Sequence, residues 1–375
     1  MKIMSVVGAR PNFMKIAPII RAIKKYQQIQ SVLVHTGQHY DHQMSESFFE
    51  DLGIPRPDYN LGVGSGSHSA QTAHIMLSFE KVVLKEKPVL ILVVGDVNST
   101  LACSLVAAKL HIAVAHVEAG LRSLDRAMPE EINRLVTDSI SDILFTTSLD
   151  ANANLMKEGH PRDRIIFVGN VMIDTLMANL EKAGKSQIVK ELSLKEKQFV
   201  AVTLHRPSNV DDKTTLTDIM EALFEISKKI PVIFPVHPRT IKKIKDFIPY
   251  QKLTQMNNLR LIEPLGYIDF LRLMSQAKFV ITDSGGIQEE TTALGIPCLT
   301  VRENTERPIT ITEGTNTLVG TNREKIIKES MKILNGSGKK GRRPQYWDGK
   351  SSERIVKTLL LKRIQKIVSE RKSGK

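Results

Sequence analysis

The stretch "KFVITDSGGIQEETTALGIPCLTV", residues 278–301, carries the pattern that decides the fold. "KFVITD" and "CLTV" at its two ends are short apolar runs rich in β-branched residues, which are typical of buried strands. A Gly-Gly pair and a helix-like segment lie between them. Two strands joined in this way predict parallel pairing, because a parallel pair needs a long crossover connection.

The same alternation of apolar runs and amphipathic stretches continues along the whole chain. It predicts an α/β fold with doubly wound, Rossmann-like parallel sheets. Besides 278–283 and 298–301, the strand candidates are residues 2–7, 31–36, 89–94, 112–117, 142–147, 164–169, 198–204, 231–236 and 259–263.

The length of the chain indicates two domains. At 375 residues and 42.0 kDa it exceeds what one hydrophobic core usually supports. The series of strands is interrupted after residue 169, so we predict domains over 1–169 and 170–350. Residues 351–370 show an amphipathic pattern that predicts one terminal helix, with Ser351 or Ser352 as its cap.

The formal net charge of +13 does not indicate nucleic-acid binding, because most of it lies at one end of the chain. Residues 338–375 hold thirteen Lys or Arg and three Asp or Glu, which leaves a net charge of only +3 for residues 1–337. A basic stripe interleaved with aromatic residues is absent from the sequence. We therefore expect no nucleic-acid partner.

The composition is that of a globular protein, with 41% hydrophobic and 25% charged residues. No run of 18 apolar residues appears, and the sequence starts with a strand-like segment rather than a signal peptide. We expect a cytoplasmic protein without stable membrane insertion. Cys103 and Cys298 lie in apolar segments, so we expect buried thiols rather than a disulfide or a metal site.

Acidic side chains collect after strands of the first half, at the edge where doubly wound sheets bind ligands. Asp96 follows one strand in "GDVNST", and Glu118 follows the next in "HVEAGLRS". "MPEEINR" opens a helix with Glu130 and, four residues later, Arg134, and we interpret Glu131 as an ordinary helix-start acid. Each acid alone could be a cap or a surface charge. Three carboxylates at one rim favour proton transfer, because clustered like charges raise some pKa values.

Basic residues follow several strands. "GARPNFMK" offers Arg10 and Lys15 after the first strand, and an arginine can bind phosphate or carboxylate through two parallel hydrogen bonds. "LHRPSN" and "PVHPRT" place His205 and His237 after strands of the second half. Each histidine could equally be a structural hydrogen-bonding residue. The spacing of His, Cys and Glu matches no metal-binding motif.

Taken together, these segments resemble the non-hydrolysing UDP-N-acetylglucosamine 2-epimerases. The resemblance covers nearly the whole chain and rests on "GARPNFMK", "GQHYD", "GDVNST", "HVEAGLRS", "MPEEINR", "GNVMIDTL", "LHRPSN", "PVHPRT", "TDSGGIQEE" and "RENTERP". It implies a GT-B-like fold of two Rossmann-like domains that face an interdomain cleft, with the C-terminal helix packed back on the first domain.

The resemblance also implies a reaction. Members of this family interconvert UDP-N-acetylglucosamine and UDP-N-acetylmannosamine without NAD or a metal, so no cofactor is expected. A base removes the proton from the carbon that bears the acetamido group while UDP leaves, which gives a 2-acetamidoglucal. UDP then adds back as the opposite face is protonated. A UDP-sugar substrate, a homodimer and a role in polysaccharide biosynthesis are implied as well.

The site residues of the family carry over position by position. Asp96, Glu118 and Glu130 match the catalytic carboxylates, and His205 matches a catalytic histidine that contacts the diphosphate and can help the leaving group. The UDP-binding positions are Arg10, Lys15, Phe270, Ser284, Gly285, Gly286, Glu290 and Arg307, and the supporting positions are Arg134, His237, Gln38 and His39.

The two acids after the Gly-Gly pair receive different interpretations. Small residues and backbone N–H groups at Ser284–Gly286 can hold the diphosphate at a helix start. Glu290 matches the acid that binds the ribose hydroxyls. Glu289 has no match of this kind, and we interpret it as a solvated helix-start acid.

The residues leave the exact substrate and the reaction class open. "RPNF" and "MSESFFEDLGIP" favour the relatives that epimerise UDP-2,3-diacetamido-glucuronate, whereas "TERP" favours the N-acetylglucosamine branch. Ala70 stands where regulated members have an arginine, which argues against allosteric activation. A hydrolysing epimerase, a GT-B glycosyltransferase and a non-enzymatic binder that works through the basic tail are further hypotheses. The acid cluster favours an epimerase over a glycosyltransferase, because group transfer needs at most one base.

Overall fold

The computed structural model describes residues 1–38, 53, 56–248 and 258–372. This part of the chain forms two compact units, one of Met1–Met177 with Gln345–Lys375 and one of Ala178–Pro344. Each unit is built on one parallel sheet with alternating helices. The predicted α/β fold with two Rossmann-like sheets is confirmed.

The first unit contains a seven-stranded sheet in the order β3-β2-β1-β4-β5-β6-β7, in which neighbouring strands are parallel. The strands are β1 (Lys2–Val7), β2 (Gln30–His35), β3 (Tyr59–Asn60), β4 (Leu90–Val94), β5 (Ala113–Ala119), β6 (Ile143–Thr146) and β7 (Ile165–Phe167). The helices are α1 (Arg10–Ile23), α2 (His68–Glu86), α3 (Asn98–Lys109), α4 (Pro129–Ile140), α5 (Leu149–Lys157), α6 (Val171–Gly184), which continues into the second unit, and the C-terminal α15 (Ser351–Leu359) and α16 (Lys362–Lys372).

The second unit contains a six-stranded parallel sheet in the order β10-β9-β8-β11-β12-β13. The strands are β8 (Val200–Thr203), β9 (Val232–Pro235), β10 (Leu259–Ile262), β11 (Phe279–Thr282), β12 (Cys298–Thr300) and β13 (Asn316–Leu318). The helices are α7 (Ile188–Glu191), α8 (Pro207–Val210), α9 (Lys213–Ser227), α10 (Pro238–Phe247), α11 (Tyr267–Gln276), α12 (Gly285–Leu294), α13 (Ile309–Thr312) and α14 (Arg323–Leu334).

The strand order determines where polar residues can leave each sheet. The winding direction reverses between β1 and β4 in the first unit and between β8 and β11 in the second. Ligands of doubly wound sheets bind at such a reversal, outside the carboxyl ends of the strands. Asp96 follows β4, and His205 and Ser284 follow β8 and β11, so the order of strands brings all three to these positions.

Burial explains which strands could be predicted. Every residue of β4 and β5 is buried, as expected for parallel strands covered on both faces. All eleven predicted strands are present, but β3 and β13 were not predicted. These two are edge strands of two and three residues and are partly exposed, so they contain no continuous apolar run.

The prediction of one terminal helix over 351–370 is wrong. The chain forms two helices, α15 and α16, with a break at Leu360 and Leu361. The cap of α15 also differs from the prediction, because Asp174 of α6 accepts hydrogen bonds from the backbone N–H of Ser351 (3.0 Å) and Ser352 (2.6 Å). A distant carboxylate therefore holds the start of α15, which packs against α1.

The boundaries of the units differ from the predicted junction near residue 169. The first part of α6 belongs to the first unit, because Thr175 Oγ1 donates to the Met14 carbonyl (2.5 Å). Residues 345–350 also belong to it rather than to the second unit. Trp347 is fully buried there, and its Nε1 donates to the Thr147 carbonyl over 2.9 Å.

We expect Trp347→Phe to lower the free energy of unfolding by about 1–3 kcal/mol, because it removes the indole donor from the buried Thr147 carbonyl. Urea unfolding followed by far-UV circular dichroism measures the loss. Tyr346→Phe is the matched control, since Tyr346 is 39% exposed and the variant keeps the ring packed on Phe167. The control should change the free energy by less than about 0.5 kcal/mol. Equal losses in both variants would contradict a specific role for the Trp347 hydrogen bond.

Candidate active site

Asp96 lies at the carboxyl edge of the first sheet, just after β4. Arg134 of α4 binds its carboxylate, with Nε and Nη2 at 3.0 and 2.9 Å from Oδ2. The neighbouring Asn133 donates from Nδ2 to the Asp96 carbonyl over 2.8 Å. The Asp96 side chain is 23% exposed. The carboxylate is therefore held in place and is still accessible to a ligand.

Glu118 lies in a bulge of β5. The pairing of β5 with β6 shifts between Val117 and Ala119, and Glu118 has a φ of 77°. This left-handed conformation is rare for residues other than glycine and is concentrated at functional sites. The carboxylate of Glu118 forms a buried ion pair with Lys15 of α1. The structure thus brings together two of the predicted site residues.

Gly95 links the two chain segments that carry the carboxylates of Asp96 and Glu118. Its φ is 68°, and its N–H donates to the Val117 carbonyl over 3.1 Å. A Cβ at this position would lie 2.8 Å from Lys15 Nζ and 3.7 Å from Glu118 Oε2. The end of β4 therefore packs directly on the Lys15–Glu118 pair, and a side chain at position 95 would displace Lys15 Nζ and strain the backbone.

Asn12 fixes the same region from α1. Its Oδ1 accepts from the Ala9 N–H (3.1 Å), and its Nδ2 donates to the Val94 carbonyl (2.7 Å). An ionised carboxylate could accept the first bond but could not donate the second. This explains why an amide suits the "RPNF" position, which sequence analysis did not assign to the site.

The two acids at the start of α4 have opposite environments. Glu131 is buried, accepts hydrogen bonds from the backbone N–H groups of Ser123 and Leu124, and pairs with Arg134. It orients the arginine that binds Asp96, so it does more than the helix-start role predicted for it. Glu130 is half-buried and has no hydrogen bond or ion pair within the described part of the chain. Among the described contacts, therefore, none links Glu130 to Asp96 or Glu118.

Gln38, Arg10 and His39 are the remaining predicted residues of the first unit, and the structure describes the side chain of Gln38 alone among them. Gln38 is buried, and its Oε1 accepts from the backbone N–H (3.1 Å) and the hydroxyl (2.7 Å) of Ser99. It therefore supports the start of α3. Arg10 begins α1, but its side chain lies outside the described part of the structure, as does His39.

His205 is the predicted catalytic residue of the second unit. It follows β8, its side chain is 58% exposed, and its Nδ1 lies 2.9 Å from Asp283 Oδ1. Asp283 also accepts from the backbone N–H groups of His205 (3.0 Å) and Arg206 (2.9 Å). Burial alone would raise the pKa of Asp283, but these contacts lower it overall. The ionised carboxylate orients the imidazole and leaves Nε2 available to a ligand.

The predicted phosphate-binding residues lie at the start of α12, where Ser284 is the N-cap and its side chain makes no capping hydrogen bond. Ser284, Gly285 and Gly286 are all half-buried. A Cβ on Gly285 would lie 2.7 Å from Arg307 Nη1, so the lack of a side chain at this position lets the guanidinium approach the start of α12. The arrangement offers backbone N–H groups and a guanidinium to an anion.

Arg307 is part of a buried charge network. It contacts Glu306, which also accepts from Arg302 Nη2 over 2.9 Å. Burial would raise the pKa of Glu306, but Arg307 and Arg302 hold it well below its usual range. The network fixes the guanidinium beside the start of α12.

The interpretation of Glu289 as a solvated acid is wrong. Glu289 is 1% exposed, and its Oε1 lies 2.8 Å from Arg307 Nε, so it neutralises the arginine of the loop. Glu290 points elsewhere and accepts from the hydroxyl of Tyr267 on α11 over 3.0 Å. Burial raises the pKa of Glu290 to about 7, with a further increase from Glu289, although the hydrogen bond from Tyr267 opposes the shift.

Two further predicted residues lie on the helices of the second unit. Phe270 is half-buried on α11, one turn after Tyr267. His237 is exposed at the start of α10, where its Nδ1 accepts from the Arg239 N–H over 3.3 Å. The described contacts of His237 are those of a helix cap.

The cysteines and the acidic and histidine side chains form no metal site among the residues that the structure describes, because no three His, Cys, Asp or Glu side chains there lie close enough to hold an ion. Helices long and apolar enough to cross a membrane are likewise absent from this part of the chain. Cys103 and Cys298 are buried free thiols, as predicted.

The sequence matches a known family over most of its length. The family model for UDP-N-acetylglucosamine 2-epimerase matches residues 21–360. The UDP-N-acetylglucosamine 2-epimerase of Methanocaldococcus jannaschii is 46% identical over 364 residues, which cover 96% of this chain and 99% of the relative. The UDP-2,3-diacetamido-2,3-dideoxy-D-glucuronate 2-epimerase of Pseudomonas aeruginosa is 43% identical over 363 residues, with the same coverage.

Solved structures give the same result. The M. jannaschii UDP-GlcNAc 2-epimerase in complex with UDP-GlcNAc and UDP has a TM-score of 0.85 at 46% identity, over 96% of this chain and 99% of that chain. The Neisseria meningitidis enzyme bound to UDP-GlcNAc has a TM-score of 0.88 at 33% identity, over 96% and 100%. The predicted GT-B-like fold is confirmed. The chain belongs to the UDP-N-acetylglucosamine 2-epimerase family and is an isomerase of that family.

Proposed function

We propose that this protein interconverts UDP-N-acetylglucosamine and UDP-N-acetylmannosamine by elimination and re-addition of UDP. The observation that carries the proposal is the pair of carboxylates at adjacent strand ends, Asp96 and Glu118, each fixed by its own cation. Removal of a proton from one face of a sugar and its return to the other face require acid–base groups in defined positions. The relatives named above act on UDP-sugars, which supports the substrate class.

The reaction balances within the substrate. A carboxylate accepts the proton of the carbon that bears the acetamido group, the C–H electron pair forms a double bond, and the anomeric C–O bond breaks to release UDP. Re-addition of UDP with protonation from the opposite face gives the epimer. Asp96, Glu118 and Glu130 are the proposed carboxylates, and which of them serves which face is left to experiment.

The second unit supplies the groups proposed to hold UDP. The N–H groups at Ser284–Gly286 and the guanidinium of Arg307 bind the diphosphate, in line with the geometry at the start of α12. In its imidazolium form His205 donates from Nε2 to the leaving diphosphate, while its Nδ1 faces the Asp283 carboxylate. Phe270 contacts the uracil, and Glu290 accepts from the ribose hydroxyls.

A second substrate is supported by one observation. The P. aeruginosa enzyme that epimerises a diacetamido-glucuronate is nearly as similar to this chain as the M. jannaschii enzyme, at 43% against 46% identity. Arg307 of "TERP" argues against this second substrate, and it is held in a charge network next to the start of α12. We therefore rank UDP-N-acetylglucosamine first. The homodimer and the cytoplasmic location that the family implies stay predictions.

Incubation with UDP-N-acetylglucosamine in deuterated water tests the proposal. We expect deuterium at the acetamido-bearing carbon together with the manno epimer in the proton NMR spectrum, because the abstracted proton exchanges with solvent. A parallel incubation with UDP-2,3-diacetamido-glucuronate measures the competing substrate, and the ratio of kcat/KM values ranks the two. No exchange with either sugar, or accumulation of free N-acetylmannosamine, would overturn the non-hydrolysing assignment.

We expect Asp96→Asn and Glu118→Gln each to lower kcat by on the order of a hundredfold, the usual contribution of an acid or base. Both changes keep the shape of the side chain but remove the charge that pairs with a buried cation, so the thermal midpoint should fall by up to roughly 10 °C while the protein stays folded at the assay temperature. Asp163→Asn is the control, because Asp163 is exposed on a short helical turn and should leave kcat unchanged. Rates near the wild-type value in both carboxylate variants would show that these acids are structural.

The affinity for UDP should rise with pH through about 7. In the free protein, burial keeps the Glu290 carboxyl protonated in a large fraction of the molecules below this pH. A protonated carboxyl must lose its proton before it can accept hydrogen bonds from two ribose hydroxyls. We expect the Kd for UDP to be roughly tenfold higher at pH 6 than at pH 8 from this group alone, since one proton is linked to binding. Isothermal titration calorimetry measures both values.

Glu290→Gln provides the control for this pH dependence. The variant changes only the side chain at position 290, so the ratio of variant to wild-type Kd isolates the contribution of Glu290. This ratio should approach its smallest value at pH 6 and grow toward pH 8. A ratio that does not change with pH would contradict the role of Glu290 in binding ribose.

A further inference from the structure

His116 is a fully buried residue of β5, two positions before Glu118. Its Nδ1 lies 2.6 Å from Asp138 Oδ1, and its Nε2 lies 2.8 Å from the Gly95 carbonyl oxygen. A backbone carbonyl can only accept, and so can an ionised carboxylate. Both ring nitrogens must therefore donate, which requires two ring protons and a positive charge on the imidazole.

The carboxylate beside the ring is ionised and fixed by other groups. Burial would raise the pKa of Asp138, but His116 and Arg122 lower it overall. The Oδ2 atom of Asp138 accepts from the Gly120 N–H over 3.0 Å and lies 2.7 Å from Arg122 Nη2. Asp138 therefore presents Oδ1 to His116 Nδ1 as an acceptor, and the hydrogen-bond geometry of the ring calls for a donor at both nitrogens.

The partner of Nε2 places His116 next to the proposed acid–base groups. Gly95 directly precedes Asp96, and its N–H is bound to the carbonyl of Val117, directly before Glu118. The Gly95–Asp96 turn is also contacted by α4, where Asn133 donates to the Asp96 carbonyl and Arg134 forms an ion pair with the Asp96 carboxylate. Asp138 lies one turn further along the same helix. The imidazole therefore ties the end of β4 to the helix that orients Asp96.

We propose that His116 is a positioning residue that, as a buried imidazolium, fixes the Gly95–Asp96 turn and thereby the separation of the Asp96 and Glu118 carboxylates. The inference rests on the proposed function, since it assigns these carboxylates to proton transfer. His116 is not exposed and cannot touch the substrate. Its effect is on the geometry of the reacting groups, and a misplacement on the order of 1 Å can cost roughly a hundredfold in rate.

Two substitutions separate the contacts of His116. The amide of His116→Gln can reach the position of Nε2 and keep the bond to Gly95, whereas the shorter amide of His116→Asn can replace only the bond to Asp138. We expect His116→Asn to lower kcat roughly tenfold to a hundredfold with KM and the Kd for UDP within about twofold of wild type. His116→Gln should restore a large part of kcat.

A variant with a similar loss of stability controls for general destabilisation. Val114→Ala removes volume from the same buried strand but leaves the Gly95 contact intact. Its kcat should stay within about twofold of wild type even where its Tm falls as far as that of His116→Asn. A kcat loss in Val114→Ala equal to that of His116→Asn, or equal kcat values for the Asn and Gln variants, would overturn the proposal.

Nitrogen-15 NMR of the imidazole rings tests the charge without any assay of activity. The His116 signals, assigned by their loss in His116→Asn, should show two protonated nitrogens under the conditions of the activity assay. A ring with one bare nitrogen under these conditions would overturn the proposal. Failure of the wild-type protein to epimerise either UDP-sugar would instead overturn the proposed function, and the NMR result would still decide the state of His116.

Discussion

The burial of parallel strands on both faces is the constraint on which the rest of the structure depends. β4 and β5 are buried along their whole length, so a polar side chain within them needs a partner inside the protein. Functional groups can reach a ligand only where the strands end, or where a bulge turns a residue out of the regular ladder. Asp96 uses the first route and Glu118 the second. Both routes lead to the same edge of the sheet, which is why residues distant in sequence become neighbours.

The same burial requires that nearly every charged side chain among the predicted site residues of the two units has a fixed partner. Lys15 pairs with Glu118, Arg134 with Asp96, and Asp283 with His205. Such pairs contribute little net stability, because desolvation offsets much of the attraction. Their value is geometric, since each partner limits where a reacting atom can lie. The charges proposed to act on the substrate are therefore positioned before substrate arrives, which lowers the reorganisation needed during the proposed reaction.

The sequence predicted the parts of the fold in which local pattern and burial agree. All eleven strands with continuous apolar runs were found, and the edge strands β3 and β13 were not, because short, partly exposed strands leave no periodic signal. The break at Leu360 and Leu361 also escaped prediction, since leucine favours helix and no proline or glycine marks the end of α15. In the sites, the positions of acids and histidines could be predicted from motifs, whereas their partners could not. Asp283, Tyr267 and Glu131 were missed because their roles arise from contacts between separate elements.

Glu289 and Glu290 show why residue type alone cannot assign a role. Successive residues of an α-helix point about 100° apart, so two adjacent acids face different neighbours. Glu289 faces Arg307, and the ion pair cancels a negative charge that would otherwise repel a phosphate at the start of α12. Glu290 faces the neutral donor Tyr267 and keeps Oε2 without a hydrogen bond in the described part of the chain, so it retains an acceptor for a hydroxyl. In the proposed UDP site, Glu289 thus offsets the charge repulsion that an anion would meet, and Glu290 provides a polar contact beyond those to phosphate.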